Sequence, residues 1–525
     1  MQYVRFEIFS GGMTMKVKKR AYVSVYNKER IVEFCQYLVE YGYEIIATDG
    51  TCKVLREAGI DALSAHELTG YPEPLGGKVR AMHPAVYTGI IANQLTPAQL
   101  KELGRAKAKV FPIELVVINL YPFREDMEAG VPFEEAAEHI DVGGVALLDA
   151  AARNFMHTVA VCDPDDYDRV LCDLAVGVIS EDERRYLMYK AFSYTASYDA
   201  LVAQYLSYRL KIAFPKTLTV TYEKTQDMLY GENPHQRAAV YREPLLKEGS
   251  IARAKQLTGA TLTYNNIHDA NAALELIKEF DEPAVVACKH AVPCSAGTGA
   301  NLFEAFERAS GADPLRFRGG ILAINGVVDA RIAAKFRDLG VEAVVAVGFT
   351  PEAMAELRFS KALILLEMPD IRSKVQFSTF DMKKIYGGLL VQTYDTSLFE
   401  NAMCVTSRKP SEEEMRALAF NYKVAKHAHS SAVVIGTENA TCGIGTGQTN
   451  RMVALRFALS LAGERAKGAV LASDAGLLAS ESLEECREAG ITAIVQTGIP
   501  DNKIVRLCDQ YGIAVLCSEE RHFKA

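Results

Sequence analysis

The chain has 525 residues, too many for a single hydrophobic core, and its 49% apolar and 24% charged content is that of a globular protein of two to four domains. A net charge of −8 argues against non-specific nucleic-acid binding while leaving room for a local basic pocket. No apolar run reaches the roughly 18–20 residues of a membrane span, and no signal-peptide pattern opens the chain. Eleven cysteines sit mostly in apolar segments such as "RIVEFCQYL" and "YGIAVLCSEE". Reduced, buried thiols in a cytoplasmic protein fit that usage better than a disulfide framework does.

Residues 1–15 read as an extension, with Met13 or Met15 as alternative starts. "RAYVSVY" (20–26) is expected as a strand, and Asn27 as the N-cap of a helix whose apolar face is Ile31, Phe34, Cys35, Leu38 and Val39, ending at Gly42. "EIIATDGT" (44–51) predicts a strand running into a glycine turn, and "CKVLREAG" (52–59) a helix. Further strands are expected around Val86–Ala92 and at "ELVVINLY" (114–121). This alternation implies a parallel α/β sheet with functional loops at the strands' C-terminal ends. A long helical stretch follows over 181–210, and Phe214-Pro215 with the polar "YEKTQDM" beyond it mark a domain boundary near 205–220.

The second part echoes itself. "AVVACKHAVPCSAG" leads to "GGILAINGVVDARIAAKFRDLGVEAVVAVG", and later "SSAVVIGTENATCGIGTG" leads to "GAVLASDAGLLASESLEECREAGITAIVQTG". Each half gives strand, turn, strand, helix, strand, as two similar subdomains from a duplication would. Ser411 with Glu414 and Ser482 with Glu485 have capping-box spacing.

"CKHAVPC" (288–294) admits two chemistries. Two cysteines around a histidine suggest a metal, yet no second ligand pair of zinc spacing accompanies them. Lys289 and His290 instead follow a buried strand, with Pro293 stiffening the turn, and such strand ends hold side chains for acid–base work. Buried thiols beside a solvated Lys-His pair are the plain alternative. "GIGTGQTNR" (443–451), "GGKVRAMHP" (76–84) and "ATDGT" (47–51) offer backbone N–H groups and cations to a phosphate, or are simply turns.

Taken in order, "SVYNK", "ATDGT", "GGKVRAMHP", "INLYPF", "DVGG", "AARN", "YGENPHQ", "YNNIHD", "KHAVPC", "GGLLVQ", "GIGTGQTNR", "ASDA" and "RHF" resemble the bifunctional purine-biosynthesis family. That family joins 5-aminoimidazole-4-carboxamide ribonucleotide (AICAR) formyltransferase to IMP cyclohydrolase. The resemblance implies an α/β fold: a methylglyoxal-synthase-like parallel-sheet domain over 16–205, then two cytidine-deaminase-like subdomains over 218–525. It implies nucleotide and folate substrates, 10-formyltetrahydrofolate as formyl donor, no catalytic metal, and an intertwined homodimer. Lys289 and His290 match the formyl-transfer pair. Tyr121, Asp141, Arg80 and Arg153 match the cyclohydrolase site, with Ser24, Lys28, Thr48, Gly50, Thr51 and Lys78 around phosphate and ribose. Tyr230, Asn266, Gly319, Arg451, Asp474 and Arg521 match positions that hold the formyltransferase substrates.

Several positions depart from the family pattern. Arg80 and Arg153 stand where lysine is usual, Ala81 follows Arg80 in place of threonine, and Asp49 puts an acid in the phosphate loop. Leu229 replaces an arginine, Val292 and Ser431 replace asparagines, and Gly476-Leu477-Leu478 replaces an aromatic segment. Arg316 and Arg318 in "DPLRFRGG" are two arginines the family lacks. In an extended segment they would share a face and could restore the phosphate-binding charge lost at Leu229; two solvated arginines are the alternative. The departures leave three readings beside one another: a bifunctional enzyme, a paralogue with one activity or another aminoimidazole nucleotide, and a silent nucleotide-binding relative.

Overall fold

The structure is a computed structural model describing residues 18–71, 82–92, 112–245, 248–358, 360–374, 380–399 and 401–525. It divides into two compact units, Met1–Tyr222 and Glu223–Ala525. Among the described residues, no helix is long and apolar enough to cross a membrane.

The first unit is built on strands β1 (Lys19–Val25), β2 (Tyr43–Ala47), β3 (Ala62–Ser64), β4 (Leu115–Asn119) and β5 (Val159–Val161), in the order β3-β2-β1-β4-β5. All neighbours pair parallel. Every residue of "LVVIN" in β4 is buried, because helices cover both faces of a parallel sheet. On one face Ile31, Phe34, Cys35 and Leu38 pack with Tyr167 and Val170, Phe34 stacking on Tyr167 at 4.2 Å. On the other face lie Val86, Ile90, Leu147, Leu148 and Ala191. Strand order reverses between β1 and β4, so their C-terminal ends open a crevice.

Three local expectations change. Arg30, not Asn27, stands at the N-cap position of the helix Ile31–Glu40, without a side-chain capping bond; Asn27 Oδ1 instead accepts from Glu29 N at 2.9 Å, a local turn competing with the helix start. Val39 is exposed. "TDGT" is no glycine turn: Thr48 is the N-cap and Asp49-Gly50-Thr51 the first turn of the helix Asp49–Glu57. Val86–Ala92 is not a strand but belongs to the helix Pro84–Ile91 and its C-cap. Pro84 at the first helical position pre-sets φ, and His83 Nδ1 accepts from Ala85 N at 3.1 Å; these local signals outweigh the β-branched run. The long helix forms over Glu181–Arg209 with Ser180 as N-cap.

The second unit begins with a hairpin, β6 (Glu223–Met228) and β7 (Ala238–Arg242). Its first large sheet contains β8 (Lys255–Thr258), β9 (Ala284–Lys289), β10 (Val292–Thr298), β11 (Ile321–Val328), β12 (Ala343–Phe349) and β13 (Ile364–Glu367), ordered β10-β9-β11-β12-β13-β8. A second hairpin, β14 (Phe380–Ile385) with β15 (Gly388–Thr393), precedes the other large sheet. That sheet contains β16 (Met403–Cys404), β17 (Val433–Gly436), β18 (Thr441–Gly445), β19 (Val470–Ser473), β20 (Ala493–Thr497) and β21 (Ala514–Ser518), ordered β16-β21-β20-β19-β17-β18.

Strand for strand the two orders are the same, so the echo in the sequence is one topology used twice. The helices Tyr264–Ile277 and Glu412–His427 share one core with both sheets. The sheets also meet edge to edge, Thr298 N donating to Asn439 O at 2.8 Å. Glycines 443 and 445 belong to β18, not to a phosphate loop. A Cβ on Gly445 would collide with the Ala454 carbonyl oxygen, so glycine sets the approach of strand to helix. Ser411 and Glu414 form the reciprocal capping box. Ser482 is not an N-cap but the third residue of its helix, which starts at Ser480. All eleven cysteines are free: nine are buried, Cys404 is half-buried and Cys172 is exposed.

Candidate active sites

In the first unit the crevice side of β1 and β2 gathers hydroxyl groups. Thr48 Oγ1 donates to Ser24 Oγ at 3.2 Å and lies 3.5 Å from Thr51 Oγ1. Buried Thr51 Oγ1 donates to Val25 O and accepts from Val25 N. Lys28 Nζ donates to the carbonyls of Val25 and Tyr26, and burial pulls its pKa below the usual lysine range. Space beside Gly50 is open, leaving the first turn of its helix accessible to an anion at the positive end of the helix dipole.

β4 delivers the second half. Asn119 Oδ1 accepts from Tyr26 N at 2.5 Å and Asn27 N at 2.9 Å, tying the β1 and β4 loops together. The rings of Tyr26 and Tyr121 meet edge-on at 5.0 Å. Tyr121 Oη donates to Asp126 Oδ1 at 2.8 Å; burial first, then this carboxylate, push the phenol up to about 12. Asp141 caps the helix Val142–Arg153: Oδ1 accepts from Gly144 N at 2.7 Å and Oδ2 from Tyr121 N at 3.4 Å. Ser24, Lys28, Thr48, Thr51, Tyr121 and Asp141 are thereby brought to one end of the sheet. Arg153 is not with them. It is exposed at the other end of the Asp141-capped helix, about 18 Å away at the rise of an α-helix. Arg80 and Lys78 lie outside the described residues.

In the second unit Lys289 ends β9, and His290-Ala291 form the two-residue tip joining it to β10, where Val292 pairs with Lys289. His290 is exposed. Both tip residues have positive φ, 51° and 59°. Pro293 lies in β10 opposite Cys288; the tip is held instead by Asp269, whose Oδ2 accepts from His290 N at 2.8 Å and Oδ1 from Ala291 N at 2.7 Å. Cys288 and Cys294 pack into different cores. Burial pushes the Cys288 thiol well up, and the Cys294 thiol to about 11. The tip therefore does not gather the two sulfurs around His290, and the metal reading of "CKHAVPC" loses its geometry. Gly319, at φ 69°, faces Lys289: a Cβ there would stand 3.7 Å from Lys289 Nζ.

The remaining candidates are scattered in role. Asn266 is buried, its Oδ1 accepting from Thr263 N and its Nδ2 donating to Glu342 at 2.7 Å. Asp474 is buried, takes a hydrogen bond from Ser430 Oγ, and has no partner at Oδ1. Tyr230 is half-buried and Leu229 beside it is 73% exposed. Arg451 is exposed at the start of the helix Arg451–Ala462; Arg521 is exposed over the Phe523 ring. Ser431 N donates to Gln448 O at 2.9 Å. Leu477 enters the core, its N–H and that of Leu478 both donating to Gln496 Oε1 at 2.9 Å. Arg316 and Arg318 are not on an extended segment. Pro314–Phe317 is a helical turn, in which Arg316 lies 3.6 Å from Asp313 and over the Phe457 ring, while Arg318 follows it and is exposed. Sequence reasoning missed Asn119, Asp126, His139 and Asp269. Asn119 and Asp269 stood inside quoted motifs, "INLYPF" and "YNNIHD", without being singled out.

A parallel-sheet unit followed by a duplicated α/β unit is the architecture of a two-part enzyme family, and the comparisons agree. Residues 30–146 match the MGS-like domain, and residues 151–461 match the AICARFT/IMPCHase bienzyme family. The bifunctional purine biosynthesis protein PurH of Ruminiclostridium cellulolyticum is 45% identical over 516 residues, covering 96% of this chain and 99% of that protein. Its counterparts from Acetivibrio thermocellus and Bacillus mycoides are each 44% identical, covering 96% and 97% of this chain and 99% and 100% of their own. A solved structure, "Crystal structure of ForH", is 34% identical over 35% of this chain and 97% of that chain, with a TM-score of 0.31. The chain belongs to the AICARFT/IMPCHase bienzyme family.

Proposed function

We propose that the chain catalyses both reactions of its family: formyl transfer from 10-formyltetrahydrofolate to AICAR, then closure of the formylated product to IMP with loss of water. The near full-length identity to proteins named for two purine-biosynthesis activities carries this reading. In the second unit His290, exposed at the tip, takes the proton of the 5-amino group as that nitrogen attacks the formyl carbon. Lys289 stabilises the tetrahedral oxyanion and protonates the leaving folate nitrogen. In the first unit the carboxamide nitrogen attacks the formyl carbon of the same molecule. The new C–OH then leaves as water with the proton shed by nitrogen, and holding the two groups together does most of the work. Tyr121, neutral across physiological pH, serves as a proton donor, and the Ser24–Thr48–Thr51 hydroxyls with Lys28 hold phosphate and ribose. No catalytic metal enters either step, so a chelator leaves both rates unchanged. The working form is a cytoplasmic homodimer; exposed Tyr189 (70%) and Val142 (61%) supply apolar surface for a second copy.

The test is purified protein with AICAR and 10-formyltetrahydrofolate, followed by folate absorbance and IMP formation. Leu229, exposed where the family carries an arginine, favours one competing reading, a nucleotide binder without turnover. Thermal stabilisation by AICAR with no folate signal would select it.

A further inference from the structure

We propose that Asp269 is the positioning residue for the Lys289-His290 pair; the proposal rests on the formyl-transfer reading of that pair. A two-residue hairpin loop with positive φ at both positions normally draws on glycine or asparagine, since a Cβ opposes the left-handed region. Here the two residues are histidine and alanine, at φ 51° and 59°. What holds them is one carboxylate, accepting from both consecutive N–H groups at 2.8 and 2.7 Å. Asp269 stands on the helix Tyr264–Ile277, which packs in the core that also takes Cys288 of β9 and Ala296 of β10. The clamp thus refers the imidazole to the body of the unit, while the side chain itself stays exposed for substrate.

The duplicated half supplies the comparison. Aligning "AVVACKHAVPC" with "AVVIGTENATC" puts Glu438 where His290 stands, and carrying the alignment back without a gap through the preceding helices, whose buried positions largely coincide, puts Ala417 where Asp269 stands. No carboxylate from the helix accepts from the N–H groups of that tip: Thr437 N donates to Ala440 O at 2.9 Å and Asn439 N to Thr437 Oγ1, while the outside contacts go to the Glu438 side chain from Arg416 and to the Asn439 carbonyl from Thr298 N. None of its residues has a positive φ. One fold therefore makes this hairpin in two ways, and of the two tips the one with positive φ and both N–H groups held by a carboxylate is the one that carries Lys-His. Strain held by a neighbouring group at a reacting side chain is a means of fixing direction.

The experiment uses the full chain. Asp269→Asn keeps shape but offers one acceptor, turning an NH2 toward the other N–H. Its kcat for formyl transfer is expected to fall on the order of 10²-fold, with the KM for AICAR within about threefold and cyclisation of the formylated nucleotide unchanged. Asp269→Asn with Ala291→Gly is expected to recover about tenfold of that kcat, because glycine enters the left-handed region without strain; a merely structural role predicts a lower Tm and no such rescue. Asp269→Glu keeps both acceptors but displaces them by a methylene, and is expected to lose about tenfold even if the asparagine variant does not fold. The proposal is overturned if either single variant that folds keeps kcat within about threefold of wild type while His290→Ala loses at least about 10²-fold. A wild-type protein that transfers no formyl group instead overturns the functional reading, and the proposal with it.

Discussion

Tyr121 and His139 share one buried carboxylate: Asp126 accepts from the Tyr121 hydroxyl through Oδ1 and faces His139 Nδ1 through Oδ2, both at 2.8 Å. The phenol at the mouth of the crevice is thereby fixed in direction, and burial first, then this carboxylate, keep it protonated, at about 12. Asp126→Asn removes the negative charge that opposes ionisation, so Tyr121 is expected to titrate nearer the ordinary value of about 10. The tyrosinate absorbance difference between Asp126→Asn and its Tyr121→Phe double variant reads this directly. Cyclisation is expected to fall about tenfold in Asp126→Asn as the donor loses its anchor.

Asp141 and Arg153 belong to opposite ends of one helix, and their variants should separate accordingly. Asparagine caps a helix as well as aspartate, so Asp141→Asn is expected to leave Tm unchanged while lowering cyclisation if the charge acts on substrate. Asp141→Ala should additionally lose about 1 kcal/mol of stability. Arg153→Ala is expected to keep cyclisation within about threefold of wild type, given its distance of about 18 Å from Asp141 along the helix. A larger loss at Arg153 than at Asp141 would reverse this assignment.

The Arg408–Glu414 fork makes a pH-dependent contribution. Burial opposes ionisation of Glu414, but two Arg408 hydrogen bonds at 2.8 Å and one from Ser411 N outweigh it and bring the carboxyl to about 2. The folded pKa lies below the unfolded value of about 4.3. The contribution is therefore complete above that pH and is lost as pH falls toward 2. Glu414→Gln is expected to destabilise the second unit by on the order of 2 kcal/mol at pH 7, with the gap to wild type closing between about pH 4.5 and 2.5 in urea melts. A gap independent of pH would remove the carboxylate as its source.

Of the two additional arginines, only Arg318 is exposed next to Gly319, while Arg316 is held by Asp313 and Phe457. Arg318→Ala is accordingly expected to weaken AICAR binding severalfold more than binding of the nucleoside lacking phosphate. Arg316→Ala should weaken both alike and slightly. Calorimetric titration of the two ligands with each variant decides it; equal effects of Arg318→Ala on both ligands would leave the phosphate without a contact there.

The parts of the fold legible in the sequence were those with a strong period or an uninterrupted apolar run: β1, β4, the helix Glu181–Arg209 and the repeat. Val86–Ala92 was misread because a β-branched run was weighed above the Pro84 and His83 start signals. "TDGT" was misread because a glycine in a helix's first turn looks locally like a turn residue. Lys289, His290 and Tyr121 could be picked out because strand ends precede them and motifs surround them. Asp269 and Asp126 could not, since an acid that holds another side chain or a turn in place has no spacing signature; its partner is chosen by tertiary packing. The reading of Arg316 and Arg318 failed on conformation: alternation puts residues on one face only where the chain is extended, and Pro314–Phe317 is helical.

The exposure pattern of the cysteines makes the molecule addressable at a single atom. Cys172 is the one exposed thiol among eleven, and burial holds thiols such as Cys35 and Cys162 protonated and slow to react. A maleimide at neutral pH is therefore expected to attach one dye per native chain and eleven per denatured chain. Because Cys172 lies on the helix Tyr167–Val176, away from the Tyr121 crevice residues and from the Lys289-His290 tip in sequence, mixed donor- and acceptor-tagged protein can report association of copies by energy transfer while both catalytic steps run unlabelled.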